Sequence, residues 1–302
     1  FIQKPLVIKS KTQSCNLKTL FYFAVSILWL FQKIIFVLLN INNSKNLSFT
    51  KNKITFITYS LKNQNKSCSE NSKKIFWGPL ISFLKKKNID ANWLSLESKV
   101  KNPIFSKKSV RENQNNNYEI QKIITIKIIV QTYICWFLLN VRHLFSSRKE
   151  IIKCRRHKDF LTFFEQDKIS PVFGTTGLNN ILLVHLFDRA FQLLPKQEKG
   201  FFLQENQPWE SAMLHAWKRH GHGIIIGCPH SVIRFWDLRY FFDSRKITGQ
   251  QKTQSLFPDL IAANGPEAFR ALRVNGFPRS KVVNVEALRY EHLNNLSFKN
   301  KQ

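Results

Sequence analysis

Three short polar stretches, each trailing an apolar run, hold the side chains best suited to chemistry in this 302-residue sequence. They are Glu205 and Asn206 after GFFLQ, His230 and Ser231 after GIIIGCP, and Asn264 with Gly265 after DLIAA. An imidazole titrates near neutrality, so His230 suits removal of a proton from an attacking hydroxyl. Glu205 is either a second candidate base or the carboxylate that fixes the tautomer of His230. The plainer alternatives are a turn histidine bonded to backbone and a carboxylate supporting a helix start. Glu210 falls in the first turn of the helix that follows, where a negative charge is stabilising in any case. Arg234, Arg239 and Arg245 straddle the run RFWDLRYFFD, and a guanidinium fork suits phosphate or carboxylate. The same run also reads as an amphipathic core segment, with Phe235, Trp236 and Tyr240 packed and the arginines paired with Asp237 and Asp243. Arg234 lies nearest His230 in the chain.

Several chemistries lose ground on motif grounds. There is no GxxxxGK[ST] loop, no GxGxxG after a strand and no GxSxG elbow, which argues against nucleotide hydrolysis, dinucleotide redox chemistry and the common esterase mechanism. His215, His220 and His222 have no zinc-like spacing, and the flanking Gly221 and Gly223 read as turn residues. Cys15, Cys68, Cys135, Cys154 and Cys228 are odd in number, scattered and without a CxxC pair, which fits a reducing compartment. Neither a metal nor a cofactor is expected.

The elements that must position these residues alternate. KITFITY (53–59) reads as a strand, a helix follows from near Phe76 to near Asn88, and a second strand covers about 91–96. In the second half, GFFLQ is a strand and Pro208 opens a helix, with Asn206 as its possible cap and Gly221 as its stop. GIIIGC is the next strand, 259–263 another, 266–274 a helix and 281–285 a last strand. Strands alternating with helices imply an α/β fold, a Rossmann-like parallel sheet flanked by helices. In such a sheet the loops beyond the carboxyl ends of the strands share one rim, which would gather Glu205, His230 and Asn264. The stretch 98–120 is polar and reads as an insertion, 121–160 as a helical insertion, and 291–302 as a tail.

Charge and hydropathy bear on partners. The chain holds 47 Lys+Arg against 19 Asp+Glu, a formal net charge of +28, most of the excess being lysine in the first half. A+T-rich codon usage is the plain alternative source of this basicity; as a functional signal, with no nucleic-acid module accompanying it, it favours anionic lipid or phosphate over nucleic acid. Residues 20–39 form an apolar run long enough to span a bilayer, although Gln32 and Lys33 fall near its centre. The alternative is an interfacial or core helix within an N-terminal segment covering 1–50. A second run, 123–139, is interrupted by Lys127 and Gln131 and reads as a packed or membrane-surface helix.

The run QENQPWESAMLHAWKRHGHGIIIGCPHSVIRFWDLRYFFD, with PDLIAANGPEAFRALRVNGFP and VVNVEALRY after it, resembles a family of bacterial glycosyltransferases of surface carbohydrate biosynthesis. FWGPLISFLKKKNIDANWLSL is similar to the family's first helix and second strand. The resemblance implies the acceptor-side, N-terminal half of a two-domain GT-B enzyme acting in O-antigen-like or capsule-like polysaccharide synthesis at the cytoplasmic face of the inner membrane. It implies that Glu205, Asn206, Glu210, His230, Ser231 and Arg234 face the interdomain cleft, His230 and Glu205 as catalytic candidates and the others, with Asn264, as substrate contacts. The partners it implies are a lipid-linked or polysaccharide acceptor and a nucleotide-sugar donor held by a second domain. Family members continue past the segment matching VEALRY into that donor domain, and this sequence opens at Phe1 rather than Met. The expectation is therefore a fragment, inactive by itself; the rival reading is a non-catalytic, membrane-associated module of polysaccharide assembly.

Overall fold

The computed structural model describes residues 13–39, 49–60, 76–97, 116–153, 172–234, 237–243, 247 and 256–286. The chain divides into two compact units, Phe1–Leu39 with Thr125–Leu182, and Asn40–Ile124 with Leu183–Gln302.

The second unit contains the sheet. Its strands are β1 (Ile54–Ser60), β2 (Asn92–Glu97), β3 (Asn117–Glu119), β4 (Lys199–Gln204), β5 (Ile224–Pro229), β6 (Leu260–Asn264) and β7 (Val282–Val285). All neighbours pair in parallel, in the order β3-β2-β1-β4-β5-β6-β7. This is the Rossmann-like arrangement that alternating elements predict, with the winding direction reversing between β1 and β4. The short β3 lies at the end of the stretch read as a polar insertion. It buries one side chain, Tyr118, too little for a period-2 pattern to register.

The α-helices among the described residues are α1 (Gln13–Leu39), α2 (Leu80–Lys86), α3 (Ile126–Lys153), α4 (Thr175–Leu193), α5 (Pro208–Arg219) and α6 (Pro266–Val274), accompanied by short 3-10 turns. Of these, α4 has no counterpart among the elements expected from the sequence. Alternation along the strands separates the two faces of the sheet. On one, Phe56, Trp93, Phe201 and Leu203 meet Leu84 of α2 and Trp77, which precedes that helix, with Phe56 stacked between Trp93 at 4.5 Å and Phe201 at 5.0 Å. On the other, Gly200 leaves room for Trp217 of α5, since a Cβ there would stand 2.7 Å from the indole. Trp217 is fully buried and donates its indole N–H to the Gly223 carbonyl at 2.7 Å. Side chains of this size contribute roughly 2–3 kcal/mol each when withdrawn from water. A third group around β6, β7 and α6 includes Ile261, Leu272, Phe277 and Tyr240.

In the first unit, α1 and α3 meet through Phe23 and Trp136, stacked at 6.2 Å. Trp29 donates to Asn179 Oδ1 at 3.0 Å, and Trp136 to the Val172 carbonyl at 3.0 Å. The helical insertion expected after residue 120 thus belongs with the N-terminal helix. Residues 98–115, Phe235, Trp236, Arg245 and the tail at 291–302 lie outside the described residues.

Candidate functional site

The reversal between β1 and β4 coincides with a local divergence. Their ladder ends at Ile57 opposite Phe202, before either strand finishes. The flanking ladders instead run to Ser60 opposite Glu97 and to Gln204 opposite Pro229. β1 and β4 therefore part at their carboxyl ends, the place where open parallel sheets bind ligands.

The chain leaves β4 through Asn206, which sits at φ 55, a left-handed conformation that asparagine tolerates better than most residues. The helix cap is accordingly Gln207, one residue later than expected, and Pro208 occupies the first turn. Gln204 donates through Nε2 to Asn206 Oδ1 at 3.0 Å. Gly227 makes room for that amide, since a Cβ there would lie 2.2 Å from Gln204 Oε1.

Glu205 and His230, contributed by the loops after β4 and β5, meet with Nε2 3.1 Å from Oε1. A proton assigned to Nε2 makes the histidine the donor. His230 also packs edge-on against Phe76 at 5.3 Å. Of the two, Glu205 is the more open, with 28% of its side chain exposed against 11% for His230. The member best placed to meet a ligand is therefore the carboxylate, with the imidazole behind it, the reverse of the order that side-chain chemistry alone suggests.

Tyr59, at the end of β1, completes the constellation. Its hydroxyl lies 3.5 Å from Glu205 Oε2 and accepts the Trp209 indole N–H at 3.1 Å. Burial, and then the charge of Glu205, raise its pKa well above the ordinary phenol value, so the hydroxyl remains a neutral donor. Trp209 stacks on Phe187 at 5.9 Å.

Glu210 does not open on this rim. It is 4% exposed, and its Oε1 accepts the backbone N–H groups of Glu205 at 2.8 Å and Gln207 at 3.0 Å. Burial pushes its carboxyl up to about 7 against the opposing pull of those bonds. The structure thus replaces the substrate contact expected of Glu210 with a loop fastener. It ties down the backbone that presents Glu205.

Ser231 bonds through its side chain to Tyr240, whose hydroxyl donates to the Gln204 carbonyl at 3.2 Å. Burial is the main cause that pushes the Tyr240 hydroxyl up to about 12. Asn264, at the end of β6, reaches the Ser231 carbonyl at 3.5 Å through Nδ2. Three buried amide atoms at this rim, Gln204 Oε1, Asn206 Nδ2 and Asn264 Oδ1, have no hydrogen-bond partner among the described residues.

Arg234 is exposed and contributes its carbonyl to the Asp237 N–H at 3.0 Å. Arg239 lies within the field of Glu205, but its main partner is Asp237. It forks onto Asp237 with contacts of 2.8 and 2.7 Å, which hold that carboxyl below its ordinary range. Tyr59, Phe76 and Trp209 are absent from the residues expected at the site, because Tyr59 and Phe76 reach Glu205 and His230 only through the tertiary fold and Trp209 joins them through Tyr59. The available signal is the position of Tyr59 at a strand terminus.

His220, His222 and Cys228 serve the fold. His222 is buried, accepting the Gln197 N–H at 3.2 Å and bonding the Phe191 carbonyl at 3.0 Å, while His220 pairs with Asp188 at 2.9 Å. Burial pushes the Cys228 thiol up to about 12, leaving no thiolate for nucleophilic chemistry. Among the described residues no three His, Cys, Asp or Glu side chains converge on a metal-holding geometry.

In comparisons with known proteins, no family model, no curated protein and no solved structure matches this chain at a significant level.

Proposed function

We propose that the diverging carboxyl ends of β1 and β4 bind a saccharide acceptor, and that the chain is the acceptor-side half of a GT-B-like glycosyltransferase of surface polysaccharide synthesis. The observation that carries the reading is the Glu205–His230 pair at 3.1 Å beside the reversal point of the sheet. Glu205 takes the proton of the acceptor hydroxyl as that oxygen attacks the anomeric carbon of a nucleotide-sugar donor. The donor's phosphate leaves with the electron pair of the broken glycosidic bond. His230 and Tyr59 hold the carboxylate oxygens in place through their N–H and O–H groups. The amides of Asn206 and Asn264 suit recognition of sugar hydroxyls through the one group each leaves without a partner among the described residues, a donor on Asn206 and an acceptor on Asn264.

The resemblance in the runs around Glu205 and His230 supports glycosyl transfer over other uses of a positioned base. An apolar α1 supports association with a membrane, peripheral or single-pass; the cytoplasmic face of the inner membrane, where a lipid-linked acceptor is available, is what the resemblance implies. The test is label transfer from a panel of nucleotide sugars to lipid-linked acceptors by membranes containing the protein joined to its donor-side half. Transfer by the wild type should fall at least a hundredfold in Glu205→Gln and in His230→Ala, both folded by circular dichroism. Undiminished transfer in Glu205→Gln refutes the assigned base.

A further inference from the structure

The first unit is arranged inside out for a protein in water. Across residues 21–39 of α1, the outward half carries Phe21, Phe23, Leu28, Phe31, Ile35 and Leu38, with Gln32 the polar exception among exposed positions. Its polar groups turn inward instead. Ser26 is fully buried and bonds the Phe23 carbonyl at 2.6 Å, and Lys33 is half-buried with its ammonium 5.8 Å from the Trp29 ring centre. Lys33 is thus not on the apolar face, which removes the objection its sequence position raises.

α3 repeats the pattern beside it. Its inward positions include the buried polar residues Thr132 and Asn140, which bond the carbonyls of Ile128 at 2.8 Å and Trp136 at 2.7 Å. Its outward stripe is Ile126, Val130, Ile134 and Phe137, all exposed and spaced at helical intervals. The exposed Lys127 and Arg142 flank that stripe near its two ends. Fifteen residues separate them, about 22 Å of helix. Water-soluble helix pairs bury their apolar stripes and expose polar ones; this pair buries Ser26, Thr132 and Asn140 and shows a mostly hydrocarbon outer face, interrupted by Gln32 and Gln131.

We infer that α3, and not α1 alone, is a lipid-contacting helix: the Ile126–Phe137 stripe lies at the acyl-chain boundary of the bilayer, with Lys127 and Arg142 at the headgroups. The occupant follows from chemistry on both helices. The apolar part of α1, 19 residues long, matches the hydrocarbon thickness of a bilayer, and basic residues bordering an apolar stripe are the pattern of an interfacial helix. The inference rests on the membrane placement proposed above and extends it to a second element.

The experiment is flotation with phosphatidylcholine vesicles in 0.5 M salt, so that the net charge of the chain does not drive binding. Wild type is compared with Val130→Asp/Ile134→Asp and with Ile134→Trp. The double variant should partition about tenfold or more weakly, and Ile134→Trp at least as tightly as wild type. Both positions are exposed, so circular dichroism should be unchanged. If wild type floats and the double variant floats equally, α3 does not touch lipid and the inference falls while α1 keeps its role. If wild type does not float, the membrane placement and the inference fall together.

Discussion

Replacing Glu210 by Gln separates a charge from a shape. The carboxylate is buried, yet Oε1 is all that the N–H groups of Glu205 and Gln207 require, and a glutamine keeps that oxygen. In the native protein burial raises the carboxyl from 4.5 to about 7. A raised pKa means that the folded protein holds a proton the unfolded chain has released. Stability from this group is therefore fully present below about pH 4.5 and is lost as pH climbs through about 7. Since a tenfold change in proton affinity is worth roughly 1.4 kcal/mol, the ceiling is about 3 kcal/mol, most of which disappears between pH 5 and pH 8. Glu210→Gln has no such loss. Urea unfolding followed by tryptophan fluorescence, repeated at pH 5, 6, 7 and 8, should show the variant gaining about 2–3 kcal/mol on wild type across that interval. Parallel stability curves would falsify the claim that a buried, partly protonated carboxyl anchors the loop bearing Glu205. Glu210→Ala removes the oxygen as well and should cost about 2 kcal/mol at pH 5, from two backbone N–H groups left without their partner.

Two further outcomes follow from the same packing. Gly223→Ala places a Cβ 2.2 Å from the Glu198 carbonyl, a backbone atom, whereas Gly200→Ala meets the Trp217 ring at 2.7 Å. Both should lower the melting temperature, Gly200→Ala by the roughly 1–3 kcal/mol typical of overpacking and Gly223→Ala by more, because a backbone carbonyl yields less than a ring; calorimetry gives the order, and equal losses would contradict it. His222 is held neutral by burial, so its pKa lies below the ordinary value and its contribution, present above about 6.5, should be lost as pH falls below that. His222→Gln should flatten this acid-side decline in melting temperature between pH 7 and pH 5, and an unchanged slope would assign the decline elsewhere.

Much of the sheet was legible because its signals are local. Short apolar runs ending at Pro229 or Asn264, Pro208 and Pro266 at helix starts, and Gly221 and Gly276 at φ 63 and 94 after helix ends each act within a few residues of chain. The rule that parallel strands send their trailing loops to one rim was enough to bring Glu205 toward His230. Their separation of 3.1 Å, and which of the two faces outward, belong to the folded state. Glu210 shows the limit: a glutamate in a first turn looks alike whether it meets solvent or reaches back to Glu205 N–H, and burial chooses between them.

Residue order by itself determined an alternating α/β chain, the rim on which its polar residues collect, and an apolar helix near its beginning. Only tertiary structure decided that β1 lies against β4, bringing Tyr59 to Glu205 across 146 positions of sequence. It likewise decided that Lys33 turns inward while its apolar neighbours turn out. The physical reason is that periodicity fixes which residues share a face of one element. Which element a face meets is set by packing summed over distant segments, and no local window contains that sum.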